Sequence, residues 1–64
     1  MTMTLKQFSN FMWYIQTIRV QDVDGNILFE GENYQLSSVN NNDICNKIVC
    51  GFGANYNTLV VTVK

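Results

Sequence analysis

The chain has no histidine, only two cysteines, few charged residues and no long apolar run. Without histidine, acid–base chemistry would fall to a few carboxylates, Lys or Tyr, and no carboxylate pair stands in a pocket-like motif. Ser9, Ser37 and Ser38 have no recognisable base beside them. Asp24-Gly25 is not a phosphate-cradling loop, and Gly51-Phe52-Gly53 lacks the strand-to-helix context of a dinucleotide fingerprint. Neither enzymatic activity nor a cofactor is expected.

The cysteines are Cys45 and Cys50. Their spacing matches neither a redox pair nor half of a zinc site, so they read as reduced, buried thiols. If both lay in one strand they would face opposite sides, which argues against a mutual disulfide. Charge is equally sparse: four basic and five acidic residues leave a net charge of −1. Lys6, Arg19, Lys47 and Lys64 are scattered rather than patched, so direct nucleic-acid binding is not expected. The acids are too few for a nucleic-acid mimic. No apolar run approaches the roughly 20 residues needed to span a bilayer, and a basic, apolar, small-residue leader is missing. A cytoplasmic protein without membrane contact is the expectation.

With 64 residues, the chain reads as a single domain over residues 1–64 with a small core. Domains of this size are marginal unless disulfides, a metal or self-association assist them, which makes a homo-oligomer the expected solution.

What the chain does have is a hairpin. Residues 18–31 alternate in polarity and fold back at Asp24-Gly25, which predicts a two-residue type I′ turn. That register sets Val20 opposite Phe29 on the face of Ile18 and Ile27, and Arg19 opposite Glu30 on the wetter face. Asp22-Val23-Asp24-Gly25-Asn26 also resembles the start of a calcium loop. Ile27 and Asn33 stand where that loop needs Gly and Glu, so turn chemistry is the better reading.

Upstream, Thr4-Leu5-Lys6-Gln7 reads as a capping box, with Met3 and Phe8 as its hydrophobic staple. Leu5, Phe8, Phe11, Met12 and Ile15 fall within an arc of about 120°, the width of a core-facing helix stripe. Trp13 and Tyr14 lie off it. Downstream, Glu32 to Asp43 is a polar connection with Tyr34, Leu36 and Val39 as anchors, and Asn42 to Lys47 allows one turn of helix. Residues 48–52 form a third strand, 53–57 a loop and 58–63 a fourth strand, with Leu59, Val61 and Val63 on one side. The expected fold is α+β: one N-terminal helix packed on a four-stranded antiparallel sheet made of two β-hairpins.

Large amphipathic rings off the core arc are favoured residues at protein interfaces, which singles out Trp13 and Tyr14, with Phe11 and the loop-tip Tyr56 beside them. Core packing is the competing reading, strongest for Phe8 and Phe11.

The layout of a Thr-Leu-x-x-Phe helix at Thr4–Phe8, then a strand, Asp22-Val23-Asp24-Gly25-Asn26, a strand and Glu30-Gly31, resembles small single-domain proteins of phages and prophages of low-GC Gram-positive bacteria. The abundance of Asn suits such AT-rich genomes. Some small phage proteins inhibit host defences such as CRISPR or nucleotide signalling. The resemblance therefore implies a non-enzymatic module that occupies a functional surface of a host defence protein. The alternatives are a self-associating accessory domain of a phage and a small-nucleotide sequestrant with a pocket between subunits.

Overall fold

The computed structural model describes residues 2–38 and 41–64; the expected anchor Val39 lies outside them. Short helix α1 (Leu5–Ser9) precedes strands β1 (Thr17–Asp22) and β2 (Ile27–Glu32). A 3₁₀ turn (Asn33–Ser37) and helix α2 (Asn42–Cys45) lead to strands β3 (Val49–Asn55) and β4 (Thr58–Val63).

The strands form one sheet in the order β2-β1-β4-β3. Both hairpins are present, but they join through a parallel β1–β4 pair, so the sheet is mixed rather than antiparallel. The cause lies in the connection. It delivers the chain to β3 running in the direction of β2, opposite to β1, so that β4 returns in the direction of β1 and pairs with it in parallel. The strands richest in buried β-branched residues thereby meet at the centre, with Ile18 beside Leu59 and Val20 beside Val61.

One sheet face carries the core: Ile18, Val20, Val61 and Val63 pack with Leu5, Leu36 and Cys45. The last three come from α1, the 3₁₀ turn and α2 in turn, so three short pieces cover the sheet where one helix was expected. On the other face β1 carries the Arg19–Glu30 ion pair at 2.6 Å, and Gln21 donates to Thr62 Oγ1 across the central pair at 3.3 Å. An exposed pair of this kind contributes about 1 kcal/mol or less.

The predicted capping box is present: Thr4 Oγ1 accepts from the Gln7 amide at 3.2 Å and Gln7 Oε1 from the Thr4 amide at 2.9 Å. The predicted stripe, however, stops at Ser9. Beyond it the amides of Phe11 and Met12 bond three residues back, to Phe8 and Ser9, which tightens the chain and shifts its phase. Leu5 is buried, Phe8 and Met12 half-buried, while Phe11 and Ile15 face solvent.

The first turn also differs. Only Gly25 takes positive φ in it, the Gly25 amide donates to the Asp22 carbonyl at 3.0 Å, and the Asp22 amide donates to the Asn26 carbonyl at 3.0 Å. This is a three-residue loop, Val23 to Gly25, not a two-residue one. Asp22 Oδ1 draws the chain into it by accepting the amides of Asp24 and Asn26, each at 2.9 Å. A bulge then restores the predicted pairs Val20↔Phe29 and Arg19↔Glu30, since Gln21 stands opposite Ile27 and Leu28 is the extra residue. That single insertion turns Ile27 away from the core face, where it is 56% exposed.

The second hairpin is tighter than expected. β3 continues through Asn55, and only Tyr56 and Asn57 separate it from β4.

Candidate protein-binding surface

Four rings gather where β1 begins, β2 ends and the second hairpin turns. Their scaffold starts at Asn33, the one buried polar residue among those described. Its Nδ2 group lies within hydrogen-bond distance of the carbonyls of Ser9 at 2.9 Å, Met12 at 3.2 Å and Trp13 at 3.3 Å. The Ser9 and Trp13 carbonyls also accept the amides three residues on, from Met12 and Gln16, so the Asn33 side chain pins a segment that has already tightened out of the α-helix. Its Oδ1 is buried without a partner.

Main-chain bonds extend the clamp. The Asn33 amide donates to the Gln16 carbonyl and the Tyr34 amide to the Tyr14 carbonyl, both at 2.8 Å. Gln16 Nε2 donates to the Asn57 carbonyl at 2.8 Å, which ties the hairpin tip to the same segment.

On this scaffold Trp13 and Tyr14 stand edge to face, with centroids 6.5 Å apart and planes at 83°. Trp13 and Tyr56 border one groove with Met12, Ala54 and Leu59, and Tyr14 and Tyr34 border a second. No charged side chain lines either. Tyr56 is 99% exposed and holds φ +58°, a left-handed conformation that a bulky residue adopts at a cost. Positive φ at the first turn residue alone is the pattern of a type II′ turn, where Gly is usual.

Trp13, Tyr14 and Tyr56 are thus brought together, whereas Phe11 is not part of their cluster. It sits, 80% exposed, in a separate apolar groove with Met3, Phe8, Val49 and Phe52. Met3 and Phe8, the expected staple, line that groove. Two exposed rings escape the sequence reading. Tyr34, read as an anchor, is 52% exposed because its place in the 3₁₀ turn points it away from Leu36. Phe52, whose only signal was its position between two glycines, is 67% exposed and lies 5.2 Å from the Phe8 ring.

The remaining chemistry is quiet. Asp22 spends its carboxylate within its own turn, and its pKa is lowered by the Asn26 amide and side chain above all. Among the described residues no three metal-ligating side chains cluster, and no helix is long and apolar enough to cross a membrane. Cys45 and Cys50 are both free, but only the first is buried as expected. Cys45 lies in α2, outside the strand, and its thiol donates to the Leu36 carbonyl at 3.3 Å. Burial pushes that thiol up, with Lys6 pulling weakly the other way. Cys50 is the bulged residue of β3 and faces solvent. Comparison of the chain with protein families, curated proteins and solved structures finds no match.

Proposed function

We propose that this chain is a non-enzymatic protein-binding module that docks a partner protein on Trp13, Tyr14, Tyr34 and Tyr56. The observation that supports this is the exposure of four large rings, from 52% to 99%, on a backbone that Asn33 and Gln16 already hold in place. Tyr and Trp carry only two side-chain torsions each, so they lose little freedom on binding, and they offer large apolar area with polar tips. The uncharged grooves between them favour a partner surface that is apolar and hydrogen-bonding rather than strongly charged. Occupying a partner's working surface is sufficient for inhibition. A mobile-element inhibitor of a host defence protein is the form of this reading that the phage-like layout suggests.

Affinity capture from a bacterial lysate tests it, with the intact protein and a Trp13→Ala/Tyr56→Ala variant as parallel baits. A protein retained by the first and lost from the second is expected. Identical captures from two folded baits would remove the ring cluster from binding.

A further inference from the structure

We propose that the open edge of β3 is a homodimer interface, in which β3 pairs antiparallel with β3 of a second copy about a two-fold axis at Gly53. The start of this strand is already covered: the Val49 amide donates to the Met3 carbonyl at 2.8 Å, and Thr4 bridges Ile48. The cover ends there. Gly51 to Asn55 carries no charge, no proline and no internal bulge, the usual devices that blunt an edge. The opposite edge differs, since β2 has a bulge at Leu28 and carries Glu30 and Glu32, which would meet their like across a two-fold.

The register follows from the ladder. The two-residue turn closes on Asn55↔Thr58, so Asn55, Gly53 and Gly51 take the bonded positions toward β4. The amides and carbonyls of Phe52 and Ala54 then point outward. Pairing about Gly53 sets each Phe52 opposite Ala54 of the second copy in bonded positions, large against small. It leaves Gly53 facing Gly53 at the closest approach in an antiparallel sheet, about 4.5 Å between Cα atoms. An added Cβ on Gly51 or Gly53 would meet nothing within 4 Å, so the approach is open.

The choice of a second copy rests on this self-complementarity and on area. Phe52 and Phe11, which border the edge in the same groove, are 67% and 80% exposed. At about 150–250 Å² per ring they offer about 300 Å² per protomer. That is about half of the roughly 600 Å² that small stable interfaces take from each partner. Met3, Phe8 and Val49 line the rest of the groove, and none of its side chains is charged. The result would be one continuous sheet through two protomers, with Phe52 of each copy set beside the Ala54 rim of the other's Trp13–Tyr56 groove.

Ala54→Pro tests this, because it removes an outward amide and leaves the β3–β4 ladder intact; Ala54→Lys is the companion should proline unfold the hairpin. By sedimentation equilibrium the wild type is expected to dimerise in the micromolar range, and the variants to weaken the dimer at least tenfold while keeping their circular dichroism. In hydrogen exchange the Phe52 and Ala54 amides should gain protection as wild-type concentration rises. A wild type that stays monomeric at high micromolar concentration, or a dimer indifferent to both substitutions, overturns the proposal. So does a monomer whose Phe52 and Ala54 amides are protected only by an added extended peptide, since the edge would then serve a foreign strand. Trp13→Ala is expected to leave the dimer intact, so failure here and failure of the ring cluster are read separately.

Discussion

The Asn33 side-chain amide lies 3.3 Å from the Trp13 carbonyl, and this bond from a residue far along the chain holds the backbone from which the Trp13 ring projects. Asn33→Asp sets a carboxylate against three carbonyls and is expected to cost about 3 kcal/mol at neutral pH. Repulsion and burial raise the folded-state pKa of the new acid above its unfolded value of about 3.9. The loss is therefore small below that value and grows as pH rises through the folded-state pKa. Thermal melts at acid and neutral pH check it; a deficit that does not vary with pH would show the carbonyls to be elsewhere.

Trp13→Ala separates binding from folding. With Trp13 67% exposed, truncation should lower stability by about 1 kcal/mol or less, chiefly through the lost contact with Tyr14. As an interface anchor the same ring is worth about 2 kcal/mol or more in partner affinity. Melting temperature and affinity measured on one preparation decide between these roles.

Tyr56→Gly runs in the opposite direction. It relieves a left-handed tyrosine, a strain on the order of 1–3 kcal/mol that the added freedom of the unfolded glycine offsets in part. A gain of about 1 kcal/mol by denaturant unfolding, together with weaker partner capture, is the expected pair of results.

At Asp22 the folded-state pKa lies below 3.8 because the Asn26 amide and side chain bond the carboxylate. Its contribution is complete above the unfolded value and is lost as pH falls through the folded one. Asp22→Ala should therefore lower stability at neutral pH and flatten its decline in acid. A carbon NMR titration that places the Asp22 midpoint at or above the unfolded value would contradict the turn geometry.

Thiol counting gives a simple check on the core. Cys50 is exposed, and Cys45 is buried and bonded to the Leu36 carbonyl. A disulfide-exchange reagent should titrate one thiol rapidly in the native protein and the second only on unfolding.

Local signals carried much of this structure. Thr4 and Gln7 form the expected box, Ile18, Val20, Val61 and Val63 face the core as their alternation implies, and Arg19 meets Glu30. Failures arose where a distant group intervened. The helical stripe to Ile15 was locally sound, but after Ser9 the amides bond three residues back and the distant Asn33 side chain caps the Ser9 and Met12 carbonyls in that tightened form. Ile27 was placed by a two-residue turn, and the Asp22 carboxylate lengthened that turn by one residue. The parallel central pair had no local signal, because strand periodicity is the same in either direction. For the ring cluster, Trp13, Tyr14 and Tyr56 were legible as large residues off the core pattern. Tyr34 and Phe52 were hidden, since an exposed ring in a connection or beside glycines reads like a buried one.

The parallel centre of the sheet also sets an order of assembly. The Asp22–Asn26 loop and the Tyr56–Asn57 turn each close over a few residues, so both hairpins can form quickly and separately. The β1–β4 seam joins partners 41 positions apart, as Gln21 and Thr62 are. Closure of that seam awaits both halves, so the meeting of the two hairpins is the expected slow step in folding, and substitutions in Val20 or Val61 should slow it more than those at either turn.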